Sequence, residues 1–342
     1  MKYQTIVLFG ASNNERRVSV ASARNIIDDV PPGSAFWFWH LNGGIYIVDA
    51  EELRRLEDPF SNDLQPILPA KWPSIEAALS SVAGSLVVFF LALHGKETED
   101  GVLQKLLESK EIAFTGSNSR ASYLAFNKLE AKAIGQSKGL KTAVGLVLAA
   151  NNTDKISVLR EAFEKYGALV AKPVDEGSSV GVFFIHKETE ILQVVEAIAA
   201  MKADYIIEQK IVGREMTIGV VERSDGSLQA LPATEIIVEV GRMFDFDGKY
   251  RACGSKEVCP ADLSAELMQQ VQELAIKAHQ MLGCRGYSRT DLILAQDGPY
   301  FLELNSLPGL TAMSLLPAQM KIFQLSMKEF IQEQIEIAVS GK

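Results

Sequence analysis

Tyr287-Ser288-Arg289-Thr290-Asp291-Leu292-Ile293-Leu294 and Tyr300-Phe301-Leu302-Glu303-Leu304-Asn305 flank the short stretch Ala295-Gln296-Asp297-Gly298-Pro299. Apolar residues bounded by an Asp-Gly-Pro cluster read as two strands of a hairpin. Pairing symmetric about Asp297 sets Asp291 opposite Glu303 and Arg289 opposite Asn305. The strand period of two then puts all four side chains on one face. Carboxylates directly opposite one another, roughly 5 Å apart at Cβ, destabilise a sheet unless a cation or a proton compensates. Mg²⁺ suits the set, since it takes a few carboxylate or amide oxygens from protein and the rest from phosphate and water. A solvated hairpin edge beside an arginine explains the same residues equally well.

Upstream of the hairpin, Ile6 to Phe9, Ala35 to His40, Gly44 to Val48 and Leu86 to Leu93 read as strands. Val18 to Ile27 and Ser74 to Ala83 read as helices between them, an α/β pattern of the doubly wound kind. In such sheets ligands gather at the C-terminal ends of strands, where Gly10 to Glu15 and His94 to Gly101 fall. The first loop lacks GxGxxG, so a dinucleotide fingerprint is not supported. Past Thr115-Gly116-Ser117 a helix is expected over Ser119 to Gly135, carrying Lys128 and Lys132 one turn apart. Strands at Ala168 to Lys172 and Val180 to Ile185 then enclose Glu176-Gly177-Ser178-Ser179. Strands at Tyr205 to Glu208 and Glu215 to Val221, a helix over Ser264 to Leu282 and a closing helix near Phe323 to Ile337 complete the pattern.

The chain's 342 residues allow two or three domains with a large core. Its formal charge of −9 argues against a nucleic-acid or anionic-membrane partner. Three cysteines without CxxC spacing and four scattered histidines favour neither zinc nor a disulfide framework. Leu86 to Leu93 falls far short of the roughly 20 apolar residues a bilayer span needs, and no signal-peptide core is visible, so a cytoplasmic location is expected.

The loop from Glu176 to Gly181 follows a strand ending in Lys172-Pro173. Glycines let backbone N–H groups approach an anion, Ser178 and Ser179 add donors, and the lysine adds charge, so the loop can hold phosphate. A serine-rich turn beside a lysine is the plainer alternative. Lys128 can act as a second phosphate ligand or as a solvated helix lysine. Glu208 and Glu215 bracket a segment able to present backbone groups to a purine and a carboxylate to ribose, although surface carboxylates at a strand junction fit as well. Ser178 has no His and Asp at triad spacing, which disfavours a hydrolase.

Two lysines on separate elements, a Gly-Ser loop and Asp291…Glu303-x-Asn305 resemble the parts of an ATP-grasp ligase. The resemblance narrows with His94-Gly95-Lys96-Glu97-Thr98-Glu99-Asp100-Gly101, Phe114-Thr115-Gly116-Ser117, Gly283 to Asp291 and Glu303 to Thr311, followed by Ser314-Leu315. These motifs, in order over about residues 6 to 318, look like the D-alanine–D-alanine ligase family. The resemblance implies an α/β ATP-grasp fold. A doubly wound, Rossmann-like domain over 1–117 would precede a small central lid domain over 118–208 and a C-terminal mixed-sheet domain over 209–342.

It also implies that D-alanine and ATP are substrates, with two Mg²⁺ ions, or Mn²⁺, on Asp291, Glu303 and Asn305. Lys128, Lys172, Glu176, Ser178 and Ser179 match nucleotide-phosphate contacts, and Glu208 and Glu215 match adenine and ribose contacts. Glu15 and His94 match the first D-alanine site, Ser314 and the N–H of Leu315 the carboxylate of the second. Arg289 and the N–H of Gly309 match the oxyanion donors. Tyr250 matches a mobile-loop residue linked through Ser178 to Glu15, and Lys249 joins the anion cluster. Family members that make D-alanyl-D-lactate characteristically lack this tyrosine, so an amino-acid acceptor is expected. D-serine as acceptor and a silent ATP-binding paralogue are the alternatives, and a homodimer is expected by analogy. Arg17 where a second acidic residue is common, and Glu97-Thr98 where Gly-Gly is usual, imply altered charge and flexibility around the first pocket.

Overall fold

The computed structural model describes residues 3–175, 180–238 and 255–341. The N-terminal elements are β1 (Gln4–Gly10), α1 (Arg16–Asn25), β2 (Ala35–Trp39), β3 (Ile45–Val48), α2 (Ala50–Arg55), α3 (Ile75–Val82), β4 (Val87–Ala92), α4 (Val102–Ser109) and β5 (Ala113–Phe114). They build a sheet of order β3-β2-β1-β4-β5, parallel except for β3. β4 is buried at every residue and β1 at all but Gln4, which is why both read as continuous apolar runs. The strand order reverses between β1 and β4, and the loops leaving both strands open at that crevice. Gly10 turns the chain out of β1 with φ +100°, and a Cβ there would lie 2.3 Å from the carbonyl oxygen of Trp39.

The helix expected over Ser119 to Gly135 is two helices, α5 (Ser119–Phe126) and α6 (Lys128–Ser137). Asn127 separates them: its N–H donates to Tyr123 O while its side-chain oxygen accepts from the N–H groups of Leu129 and Glu130. One asparagine thus ends a helix and caps the next, placing Lys128 at the first position of α6. The elements β6 (Gly145–Leu148), α7 (Lys155–Tyr166), β7 (Leu169–Pro173), β8 (Phe183–Ile185), α8 (Ile191–Met201) and β9 (Tyr205–Gln209) follow, with an antiparallel sheet of order β6-β9-β7-β8.

The third sheet contains β10 (Arg214–Glu222), β11 (Leu228–Ala230), β12 (Thr234–Val238), β13 (Ser255–Val258), β14 (Tyr287–Ala295) and β15 (Gly298–Asn305), in the order β13-β12-β10-β14-β15 with β11 beside β10. Helix α9 (Ala265–Met281) precedes the hairpin, and α10 (Leu315–Phe323) and α11 (Met327–Ser340) follow it. The single closing helix expected near Phe323 to Ile337 is interrupted by Gln324 at φ +64° and restarted by the Ser326 cap on Glu329 N. Buried Leu124, Ala125 and Ala131 of α5 and α6 share a core with Met216, Val271, Leu292 and Phe301. Leu316 and Met320 of α10 and Phe330 and Ile331 of α11 join the core of the first sheet with Ile6, Leu8 and Phe89. The chain's last helix therefore fastens its first sheet to its last.

The hairpin pairs Arg289 with Asn305 and Asp291 with Glu303, as the sequence predicts, but by a different route. Its turn is only Gln296-Asp297, with Ala295 opposite Gly298 and Leu292 opposite Phe301. Leu302 is the extra residue, a bulge that shifts the register by one before the carboxylates are reached.

Phe330 is fully buried and meets Tyr287 edge-on, ring centroids 5.0 Å apart. Phe330→Ala should lower the unfolding free energy by about 3–5 kcal/mol, and chemical denaturation followed by circular dichroism measures it.

Candidate active site

Both hairpin carboxylates carry a protein cation. Arg289 forks onto Asp291, with Nε 3.0 Å from Oδ1 and Nη2 2.9 Å from Oδ2, and the Thr217 hydroxyl also donates to Oδ1. Lys128 Nζ lies 3.3 Å from Glu303 Oε2. Asn305 completes the face, its Oδ1 accepting from Leu307 N at 2.8 Å. The compensation that opposed carboxylates require is met by an arginine on β14 and by the first residue of α6. Among the described residues no three His, Cys, Asp or Glu side chains gather into a metal cage. Two carboxylates and an amide oxygen are nevertheless the donors a hard cation takes when phosphate and water supply the rest, so the set fits Mg²⁺.

Beside this face lies a buried cluster of three charges. Lys172 on β7 and Glu208 on β9 sit on neighbouring antiparallel strands, with Lys172 opposite Ile206 and Glu208 opposite Val170, so they meet diagonally on one face. Lys172 Nζ is 2.8 Å from Glu208 Oε2, and Lys132 Nζ donates to Oε1 from α6. Gly145 on β6 faces Glu208, and a Cβ there would come within 3.0 Å of the glutamate's Cγ. Glu208 is only 3% exposed. Burial alone would raise its carboxyl, but the two lysines hold it below its ordinary 4.5. Burial and then the charge of Lys172 push Lys132 down to about 7. For Lys172, burial acts in the same direction but is outweighed by Glu208, which raises it. Two ammonium groups share one carboxylate, and Lys132 bears the deficit.

A third group of contacts locks the segment after β15 onto the first sheet. His94 Nδ1 is 3.1 Å from Leu307 O and its Nε2 3.0 Å from Ser22 Oγ on α1. Ser22 Oγ also accepts from Leu310 N, while Asn25 donates to Leu310 O at 2.8 Å. Gly309, buried, lies inside this bracket. Ser314 precedes α10 but bonds to Thr311, at 2.8 Å between hydroxyls, and makes no side-chain cap to the helix. Glu15 immediately precedes α1 and donates its N–H to Asn13 Oδ1, while Asn13 Nδ2 donates to the carbonyls of His94 and Lys96, each at 2.9 Å. Glu15 and His94 are thus tied into one pair of loops.

Comparison with known proteins fits this arrangement. Residues 4–117 match the family model "D-ala D-ala ligase N-terminus" and residues 135–336 match "D-ala D-ala ligase C-terminus". The chain belongs to the D-alanine–D-alanine ligase family. A D-alanine–D-alanine ligase of Leptospira interrogans is 40% identical over 261 residues, covering 74% of this chain and 73% of the relative. One from Leptospira biflexa is 32% identical across 99% of both chains. Among solved structures, the Coxiella burnetii ligase superposes with a TM-score of 0.81 at 24% identity, over 99% of this chain and 94% of that one. The VanG D-Ala:D-Ser ligase from Enterococcus faecalis gives 0.82 at 25% identity, over 99% and 100%. The fold is the ATP-grasp fold of these ligases, mixed α/β with three sheets, the first parallel except for β3 and the other two antiparallel among the described residues.

Within this ligase fold, Lys128, Lys172, Glu208, Arg289, Asp291, Glu303 and Asn305 converge around β7, β9 and the hairpin. His94, Gly309, Ser314 and Glu15 line the junction with the first sheet. Glu215 lies on β10, half-buried and opposite Ile293 and Ile236. Glu176, Ser178, Ser179, Lys249 and Tyr250 lie outside the described residues. Sequence reading noted Lys132 only as a neighbour of Lys128; its partner Glu208 is 76 positions away, and nothing local signals the pair. The charge of Arg17 is met by a carboxylate on the loop after α2. Arg16 and Arg17 both hold Asp63, at 2.8 and 3.0 Å, and Arg17 also donates to Phe60 O. Glu97 stands at φ +73°, the left-handed region that glycine enters without steric cost, and its carboxylate accepts from Ser12.

Because the Glu208 carboxyl is held low, its stabilising contribution is complete above the ordinary value of 4.5 and is lost as pH falls through the folded value. Glu208→Gln removes the carboxylate that Lys172 and Lys132 share and should cost about 3–5 kcal/mol at neutral pH. The gap to wild type should close as pH drops below the glutamate range, which denaturant melts across acid pH would record.

Proposed function

We propose that this chain joins two D-alanines in an ATP-dependent reaction that passes through an acyl phosphate and supplies D-alanyl-D-alanine for peptidoglycan precursors. The observation that carries the reading is the facing of Lys128 and Glu303, with Asp291, Asn305 and Arg289 on the same sheet face and Lys172 within the field of Glu303. Phosphoryl transfer needs little covalent help from protein but much charge neutralisation and alignment. Lys128 and Lys172 hold the phosphates of ATP, and the loop at Glu176, Ser178 and Ser179 adds donors by its sequence. Glu208 and Glu215 flank the base and ribose. Mg²⁺ held by Asp291, Glu303 and Asn305 would supply neutralising charge on the transferring phosphoryl oxygens.

In the first step a carboxylate oxygen of one D-alanine attacks the γ-phosphorus and the bond to the β,γ-bridging oxygen breaks, releasing ADP. Glu15, beside His94, holds that substrate's ammonium. In the second step the amine of the other D-alanine, having lost a proton, attacks the acyl carbon, and the C–N bond forms as phosphate leaves. Negative charge on the tetrahedral oxygen falls to the Arg289 guanidinium and the Gly309 N–H, which the contacts of Leu307 and Leu310 with α1 and His94 hold in place. Ser314 and the N–H of Leu315 take the acceptor's carboxylate. Excluding water protects the acyl phosphate from hydrolysis, and the family resemblance gives Tyr250 and Lys249 a part in it. No helix among the described residues is long and apolar enough to cross a membrane; a cytoplasmic homodimer is part of the proposal.

D-serine is the second acceptor to test, because the Enterococcus faecalis D-Ala:D-Ser ligase superposes over the whole chain. Purified protein given ATP, Mg²⁺ and D-alanine should release ADP and yield the dipeptide by mass. ADP release faster with D-serine or D-lactate than with D-alanine as acceptor would refute the acceptor assignment. Arg289→Ala should lower kcat by about 10²- to 10³-fold, and EDTA should abolish turnover.

A further inference from the structure

Lys132 has no part in the mechanism above, yet among the described residues it and Lys172 are the buried lysines, Lys132 at 5% exposed. It stands one helical turn beyond Lys128 and points from α6 at the same carboxylate that Lys172 holds from β7. The charged groups facing it are Glu208 on β9 and Lys172 on β7. An excess buried ammonium is costly, and a methionine-like side chain would fill the place at lower cost. Glu208 with Lys172 alone would be a balanced pair, able to close into a contact that consumes the lysine's charge.

With one oxygen of Glu208 occupied by Lys132, only the other reaches Lys172. The cluster then carries more positive than negative charge, and the ligand suited to that surplus is a polyanion. We propose that Lys132 is a positioning residue for the nucleotide: it divides Glu208 between two lysines so that Lys172 is not neutralised and stays available to the phosphates of ATP. The incoming polyphosphate in turn favours the charged form of Lys132. The inference rests on the assignment of Lys172 to the nucleotide in the proposed function.

The test uses the full chain and two variants. Lys132→Gln keeps a donor for Glu208 without the charge, and Lys132→Arg keeps both. Affinity for Mg-ATP by calorimetry, steady-state constants and the unfolding midpoint without nucleotide are measured for each. Lys132→Gln should weaken Mg-ATP binding and raise the KM for ATP by about tenfold or more, the scale of one charged contact. Its kcat and its KM for D-alanine should stay near wild type, its unfolding midpoint should not fall, and Lys132→Arg should recover most of the affinity. Mg-ATP binding by Lys132→Gln within about twofold of wild type overturns the inference alone. So does an affinity loss that follows a fallen midpoint and is not restored in Lys132→Arg. Wild type that binds no Mg-ATP overturns the inference together with the assignment beneath it.

Discussion

The arrangement of this chain depends on Glu208. A carboxylate at 3% exposure survives only because Lys172 and Lys132 meet it from a neighbouring strand and from a helix. Satisfying it fixes the distance of α6 from β7 and β9. Since Lys128 begins that helix, the same constraint carries its ammonium to Glu303 on the hairpin. Three elements from different parts of the chain are thereby brought to one place by charge, while their apolar faces belong to two separate cores.

A second constraint acts at the other end of the site. The segment between β15 and α10 is a connection by position, yet Ser306 to Thr311 is buried, and backbone groups of Leu307 and Leu310 find partners on α1 and at His94. Buried backbone groups without partners are rare because each costs the free energy of a lost hydrogen bond. Ser22, Asn25 and His94 thus hold the backbone at Leu307 and Leu310, on either side of Gly309. Phe330 and Ile331 reinforce the junction by returning the last helix to the first core.

Much of this was legible in the sequence, for reasons that can be named. Continuous apolar runs marked β1 and β4 because strands buried on both faces have no polar side. Arg289, Asp291, Glu303 and Asn305 could be set on one face because strand periodicity is local arithmetic. Helix boundaries were harder: Asn127 and Gln324 interrupt helices through cap geometry, which a run of good helix formers conceals. Lys132 was out of reach because its significance lies in a partner 76 residues distant. The compensation of Arg17 by Asp63 was hidden in the same way, across 46 positions.

The bulge at Leu302 has a consequence for how this hairpin can vary. Ladder register ordinarily transmits any change in a turn along both strands, exchanging the faces of every side chain beyond it. Here the shift is absorbed between the Leu292–Phe301 and Asp291–Glu303 pairs. The outer half of the hairpin, where Lys141 holds Asp297 and Tyr300 also bonds to that carboxylate, lies on the far side of this bulge from the inner half. Gln296 and Asp297 are exposed and lie beyond the bulge from the carboxylates, which makes this tip a natural place to attach a label.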